Sequence, residues 1–151
     1  MIQGVRVKEL RVLSDERGRV MEILRADDEV FRKFGQVYLT TAYPGVIKGW
    51  HWHKVQTDFF TCVSGRIKLV LYDAREDPTT RGEINEFVLS LDNPRLVVIP
   101  PGVIHGFQCI GDVEALVINC PTEVYRSDAP DEYRMDAHSG DVPYDWTRKD
   151  R

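Results

Sequence analysis

The stretch GVIKGWHWHKVQTDFFTCVSG, residues 45–65, decides the fold class of this chain. It carries ligand-type side chains in the pattern G-(x)5-H-x-H-(x)4-D-(x)6-G, and a second stretch, IPPGVIH at residues 99–105, ends on one more histidine. This two-part spacing is typical of a small β-barrel whose strands bring the four side chains to one point. Imidazole and carboxylate groups together favour a divalent metal ion as their ligand. The predicted metal ligands are His51, His53, Asp58 and His105.

The H-x-H step indicates how two of these ligands can share an ion. Side chains two residues apart on a β-strand leave the same face, so the imidazoles of His51 and His53 are expected to point together. Short turns then bring Asp58 and His105 from neighbouring strands. Zn is the first candidate for the ion, followed by Fe, Mn, Ni and Co. An alternative also fits these residues: the histidines only form hydrogen bonds inside a polar barrel, or His51 alone acts as an acid–base group.

The rest of the chain reads as a series of short strands. Apolar runs rich in β-branched and aromatic residues are separated by Gly, Pro, Asn and Asp turns, which predicts an antiparallel sandwich or barrel. One short helix is predicted at residues 27–34, with Asp27 or Asp28 as its cap and Gly35 at its end. The predicted strands span residues 36–41, 58–63, 66–72, 84–89, 96–99 and 114–119. The expected fold class is therefore all-β with one short helix.

Length and composition limit the class of protein. A chain of 151 residues suits a single domain over residues 1–151, with a polar tail from about residue 126 that wraps the surface or reaches a partner subunit. Three widely spaced cysteines differ from a secreted disulfide framework, and no signal peptide or membrane span is apparent, so a cytoplasmic location without membrane association is expected. The net charge of −4 argues against a general nucleic-acid binder.

Four segments, in this order, give the chain a resemblance to a known family. They are DERGRVMEI at residues 15–23, QVYLTTAYPGVIKGWHWH at 36–53, CVSGRIKLVLYDAR at 62–75 and IPPGVIHGF at 99–107. Their pattern resembles the cupin superfamily and, more closely, the dTDP-4-dehydrorhamnose 3,5-epimerases. The resemblance implies a double-stranded β-helix (jelly-roll) barrel. It also implies a homodimeric isomerase that removes a proton beside the ketone of a nucleotide-linked 4-keto-6-deoxy sugar, epimerising C3, C5 or both.

The resemblance also implies roles for individual residues. His51 corresponds to the base of the family's R-G-L-H segment, and Lys48 takes the place of its arginine. Arg17 corresponds to an arginine that contacts the nucleotide phosphates, and Glu22 to the glutamate shortly after it. Tyr125 corresponds to the aromatic residue that stacks on the thymine ring. The expected substrate-binding residues are Arg17, Gln36, Lys48, Asn119 and Tyr125.

Two positions depart from the family pattern. The family's catalytic lysine falls at Asp58, and its proton-donating tyrosine falls at Asn119. A carboxylate would repel an enolate, and an amide cannot donate a proton as a phenol can. A dication held by Asp58 would restore the missing positive charge as a Lewis acid. If His51 ligates that ion, another group must carry the proton. The candidates for that role are Glu22, Tyr38, Lys48 and a metal-bound hydroxide.

A second resemblance concerns the H-W-H segment and the tail. Both are similar to the zinc-containing cupin domain of capsule-type bifunctional UDP-sugar epimerase/reductases, so both resemblances imply a nucleotide-diphosphate sugar as the ligand. Two other functions stay open. One is a metal-dependent cupin of another class, such as an oxygenase or a free-sugar isomerase, and the other is a non-catalytic sugar-binding cupin. The D-E-R-G segment and Lys48 favour the nucleotide-sugar isomerase.

Overall fold

The computed structural model of the protein describes residues 1–147. Twelve β-strands are present in this part of the chain. In chain order they are β1 (Arg6–Glu9), β2 (Val12–Asp15), β3 (Gly18–Met21), β4 (Tyr38–Ala42), β5 (Ile47–Trp52), β6 (Asp58–Ser64), β7 (Arg66–Asp73), β8 (Ile84–Ser90), β9 (Arg95–Ile99), β10 (Val103–Cys109), β11 (Ala115–Asn119) and β12 (Tyr133–Arg134).

The strands form two five-stranded antiparallel sheets and a separate hairpin. The first sheet has the strand order β1-β9-β6-β11-β4, and the second has the order β12-β5-β10-β7-β8. Strands β2 and β3 form the two-stranded hairpin. Side chains from both sheets meet in one apolar core, which confirms the predicted all-β jelly-roll barrel.

Strand β7 shows how the sequence builds the core. Its alternating side chains Ile67, Leu69 and Leu71 are fully buried between the two sheets. Val70 points the other way, into a second apolar layer on the outer face of the second sheet. Full burial of side chains of this size stabilises a fold by roughly 1.5–3 kcal/mol each. Strand β7 therefore anchors the second sheet to apolar layers on both faces.

The tail beyond residue 126 supplies that outer layer. Strand β12 pairs with β5 and places Tyr133 opposite Trp52, and the two rings stack with centroids 5.6 Å apart. Farther along, Trp146 packs on Trp50 with ring centroids 4.7 Å apart, and both side chains are buried. Within the described residues, the tail packs on the outer face of the second sheet of its own chain.

The short helix predicted at residues 27–34 is wrong, because residues 27–30 form turns and a bend and residues 31–34 have no regular secondary structure. The Asp28 carboxylate accepts a hydrogen bond from the Arg25 backbone and pairs with Lys8 of β1. Val30 is buried in an apolar cluster that includes Phe59, on the outer face of the first sheet. These contacts fix the segment against the first sheet. An Asp side chain that accepts hydrogen bonds from nearby backbone N–H groups also competes with helix formation.

Within residues 1–147, no helix is long and apolar enough to cross a membrane.

Candidate active site

A cavity of about 820 Å³ opens between the two sheets. Strands β4 and β6 of the first sheet and strands β5 and β10 of the second contribute to its wall, together with residues 131–135 of the tail. Its volume lies in the range of roughly 300–1,000 Å³ that small-molecule sites occupy. The predicted site residues on its wall are Gln36, Tyr38, Lys48, His51, His53, His105 and Tyr125.

Three of the four predicted metal ligands converge at this wall. His53 Nε2 lies 3.2 Å and His105 Nε2 3.3 Å from the same oxygen, Oδ2 of Asp58. One ligand-type atom from each of these three residues lies within 4.8 Å of the other two. His51 lies beside this His53–Asp58–His105 group and outside it, with its ring centroid 6.3 Å from that of His105.

Hydrogen bonds to backbone carbonyl groups define which nitrogen of each imidazole faces Asp58. His105 Nδ1 donates to the Val103 carbonyl at 3.1 Å, and His53 Nδ1 donates to the Asp131 carbonyl. A carbonyl can only accept, so each Nδ1 carries a hydrogen, and in a neutral ring Nε2 then carries a lone pair. Two lone pairs that face one carboxylate oxygen require a proton or a cation between them. The group is therefore built to hold positive charge.

The surroundings of Asp58 support this interpretation. Its second oxygen, Oδ1, accepts hydrogen bonds from Gln56 Nε2 at 2.7 Å and Asn119 Nδ2 at 2.8 Å, which fix the carboxylate. Burial opposes ionisation of Asp58, but the hydrogen bond from His53 and the charge of His105 hold the carboxyl pKa below its usual value. Two imidazole nitrogens and one oriented carboxylate form a donor set that suits Zn or Fe.

His51 has a different environment from the other two histidines. Its Nδ1 lies 3.9 Å from Glu132 Oε1, beyond hydrogen-bond distance, and has no hydrogen-bond partner among the described residues. Burial and the charge of His105 lower the pKa of His51 to about 4. The imidazole is therefore neutral near pH 7 and has a nitrogen available to take a proton.

Tyr38 approaches the cavity from the opposite sheet. It pairs with Asn119 across strands β4 and β11, and its hydroxyl accepts a hydrogen bond of 2.9 Å from Asn119 Nδ2. The Asn119 amide orientation is fixed because its Oδ1 accepts the backbone N–H of Phe59. Burial and the negative charge of Asp58 raise the pKa of Tyr38 to about 12. The phenol therefore stays protonated, and its hydrogen is free to be donated into the cavity.

The mouth of the cavity carries three of the predicted substrate-binding residues. Lys48 Nζ donates to the Thr40 hydroxyl at 3.1 Å. The Gln36 side-chain oxygen accepts the backbone N–H of Tyr125 at 3.2 Å, and the Tyr125 side chain is largely exposed. Asn119, also predicted to bind substrate, is fully buried and contacts other wall side chains.

Two predicted residues lie away from the cavity of their own chain. Arg17 is exposed at the turn of the β2–β3 hairpin, where it pairs with Asp15. Glu22 follows the hairpin and pairs with Arg25 at 2.8 Å. Within one chain, the structure does not bring either side chain to the histidines.

The tail contributes cavity residues that were not predicted from the sequence. Four tail residues line the cavity, although they follow His51 and His53 by about 80 positions in the chain. They are Asp131, Glu132, Arg134 and Met135. Alternation of polar and apolar residues in Glu132-Tyr133-Arg134-Met135 is the signal that could have marked this stretch as a strand. Its pairing with β5 puts Arg134 directly opposite His51.

Comparisons with known proteins agree with the fold. A family model described as dTDP-4-dehydrorhamnose 3,5-epimerase matches residues 1–151. A Haloferax volcanii protein named as a probable low-salt glycan biosynthesis epimerase is 42% identical over 147 residues, covering 96% of this chain and 94% of that protein. The spore coat polysaccharide biosynthesis protein SpsL of Bacillus subtilis is 39% identical over 151 residues, covering 100% of each chain.

A solved structure and a more distant relative extend the comparison. The crystal structure of a dTDP sugar isomerase from Desulfovibrio desulfuricans superposes with a TM-score of 0.92 at 35% identity, covering 99% of this chain and 94% of that one, which confirms the predicted cupin fold. A Pseudomonas aeruginosa UDP-2-acetamido-2,6-beta-L-arabino-hexul-4-ose reductase is 29% identical over 131 residues, covering 84% of this chain and 32% of that protein. Both predicted resemblances are confirmed.

Proposed function

Because this chain belongs to the dTDP-4-dehydrorhamnose 3,5-epimerase family, we propose that it epimerises a nucleotide-diphosphate-linked 4-keto-6-deoxy sugar by proton transfer beside the ketone. One observation carries the proposal. A neutral imidazole, His51, and a protonated phenol, Tyr38, line one cavity from strands of opposite sheets. Inversion of a carbon centre needs a base on one face of the sugar and an acid on the other, and this pair supplies both.

His51 is the base in this proposal. It removes the proton from the carbon beside the ketone, and the electron pair of the broken C–H bond becomes the enolate. The imidazolium that forms lies 3.9 Å from the Glu132 carboxylate, whose negative charge stabilises it. Tyr38 then donates its hydroxyl proton to the opposite face of the same carbon, which completes the inversion.

The His53–Asp58–His105 group supplies positive charge in this proposal. A divalent ion, with Zn as the first candidate, would be held by His53 Nε2, His105 Nε2 and an Asp58 oxygen. Such an ion acts as a Lewis acid toward a ketone oxygen when bound. A proton on His53 is the other source of charge. Burial lowers the pKa of this imidazole, but the hydrogen bond and charge of Asp58 together with the contacts of Asp131 outweigh burial and raise the pKa above its usual value. His51 is assigned here as the base, so it is not counted among the ligands.

Elemental analysis distinguishes the two sources of charge. We expect protein expressed in metal-replete medium to contain bound Zn or Fe, and the Asp58→Asn variant to lose it, because the amide contributes a weaker ligand at the centre of the group. Asp128→Asn is the matched control, since that carboxylate is exposed in the tail. Equal metal content in wild type and Asp58→Asn would contradict a metal at this group and favour the proton on His53.

A second copy of the chain completes the substrate site in this proposal. The cavity wall carries the cations Lys48 and Arg134, and Arg134 is paired with Glu132 at 2.8 Å, so among the described residues Lys48 is the one lysine or arginine on this wall without a carboxylate partner to meet a diphosphate. Arg17 lies on a hairpin with two exposed apolar side chains, Leu13 and Val20, paired directly across its strands. Docking this hairpin on a partner subunit would cover Leu13 and Val20 and would bring Arg17 and Glu22 to the partner's cavity.

Light scattering tests the proposed homodimer, because it measures the mass of the protein in solution. A monomeric mass would contradict the proposal.

Solvent exchange tests the proposed reaction itself. In deuterated water, dTDP- or UDP-4-keto-6-deoxyglucose is expected to gain deuterium at C3, C5 or both, because the proton returned to the carbon comes from groups that exchange with solvent. Mass spectrometry and proton NMR measure the incorporation. Absence of exchange with either sugar would contradict the proposal. Two of the relatives carry names that state an activity, a probable epimerase and a sugar-nucleotide reductase, and neither name indicates an oxygenase or a free-sugar isomerase.

A further inference from the structure

Asp131 connects the tail to the turn between strands β5 and β6 through four hydrogen bonds. Its carboxylate accepts the backbone N–H groups of Lys54 at 2.8 Å, Val55 at 2.9 Å and Gln56 at 2.9 Å. Its own backbone carbonyl accepts Nδ1 of His53. One residue of the tail therefore holds both the turn that follows His53 and the ring of His53 itself.

The carboxylate explains why the carbonyl stays in place. The hydrogen bonds from three backbone N–H groups to one ionised carboxylate are charge-assisted, and each is roughly twice as strong as a bond between neutral groups. Although partial burial opposes ionisation, these backbone bonds hold the pKa of Asp131 below its usual value. Residues 126–132 form no strand of their own before β12 begins at Tyr133, so sheet pairing does not fix the Asp131 carbonyl.

The direction of the carbonyl matters for the chemistry of His53. With a hydrogen on Nδ1, the ring presents Nε2 to Asp58 at 3.2 Å. Free imidazole side chains exchange between two neutral tautomers, and the hydrogen bond made by one nitrogen decides the role of the other. Loss of the carbonyl contact would allow the hydrogen to move to Nε2, where it would satisfy Asp58 without any cation.

We propose that Asp131 is a positioning residue that selects the Nδ1–H tautomer of His53 and so keeps the His53–Asp58–His105 group ready to hold positive charge. Its carboxylate clamps the tail to the turn at residues 54–56, and its carbonyl orients the imidazole. The docked tail is therefore part of the active site. The effect of Asp131 on turnover rests on the proposed function, whereas its effect on the tautomer does not.

The Asp131→Asn variant tests this inference. The amide NH₂ cannot accept hydrogen bonds, so the clamp loses at least one of its three bonds, and His53 is expected to populate both tautomers. Proton–nitrogen correlation NMR of the imidazole reads the tautomer directly. The value of kcat is expected to fall about 10- to 100-fold, the usual cost of removing a partner that orients a functional histidine. KM is expected to change little, because Asp131 acts through His53.

The control and the second variant keep the test decisive. Asp128→Asn changes an exposed carboxylate of the same tail and should leave both tautomer and kcat unchanged. Near-UV circular dichroism of the Trp50–Trp146 contact reports whether the tail stays docked. If Asp131→Asn undocks it, Asp131→Glu, which keeps an ionised carboxylate as the acceptor, should restore part of the Nδ1–H tautomer. A pure Nδ1–H tautomer in Asp131→Asn would overturn the inference. Absence of turnover in the wild type would refute the epimerase proposal and leave the NMR result standing.

Discussion

Replacement of His51 by asparagine is expected to lower kcat/KM by about 10³-fold, within the 10²–10⁴-fold range that a positioned general base contributes. Asparagine has a similar size and keeps a polar group at the wall, but it cannot take a proton from carbon. Deuterium incorporation into the sugar should fall by the same factor as epimerisation, because both need the same C–H bond to break. Parallel assays by NMR and mass spectrometry measure the two rates.

The fold should survive this change, so the loss can be assigned to chemistry. His51 Nδ1 makes no hydrogen bond within residues 1–147, so asparagine breaks no internal bond at that nitrogen. His138→Asn is the matched control, since that histidine is exposed in the tail. If His51→Asn kept exchange within tenfold of wild type, the base would have to be another of the sequence candidates, and Lys48 at the cavity mouth would be the next to test.

The strands built from apolar runs rich in β-branched and aromatic residues could be predicted from the sequence. The six strands predicted between residues 36 and 119 match observed strands with ends that differ by at most two residues. Strands β1, β2 and β3 were missed because charged and exposed residues dominate them, as in RVKE of β1. Their pairing, such as β1 with β9, is set by tertiary contact and not by local pattern.

Prediction of the site residues from local sequence pattern has the same limit as prediction of the strands. The convergence of His53, Asp58 and His105 could be predicted from the spacing of the two motifs. The residues come from both sheets: β10 with His105 pairs with β5 in the second sheet, and Asp58 begins β6 in the first. His51 illustrates what spacing leaves out: it shares the cavity with His53, but its distance from the group depends on the local course of β5 near its end. The contact of Asp131 with His53 spans 78 residues, and no local pattern encodes such a contact.

Replacement of Tyr38 by phenylalanine is expected to separate proton removal from inversion. His51 would still remove the proton and could return it, now as a deuteron, to the same face of the sugar. Exchange without a change of configuration should therefore continue at a rate within about tenfold of wild type. Formation of the epimer should fall by about 10²-fold or more, because the opposite face lacks its acid. The ratio of deuterated substrate to deuterated epimer, followed over time by NMR, measures this separation.

Tyr38 is a strong test because its surroundings tolerate the loss of the hydroxyl. Asn119 keeps its bonds to Asp58 and to the Phe59 backbone, so the wall loses one hydrogen bond and the His53–Asp58–His105 group is undisturbed. Tyr43→Phe is the matched control, because that side chain is exposed just beyond strand β4.

Equal losses of exchange and epimerisation in Tyr38→Phe would show that the phenol supports the base step instead. Unchanged rates of both would place the acid elsewhere. Selective loss of the epimer would mean that the phenol on β4 performs the proton donation that the amide at position 119 on β11 cannot.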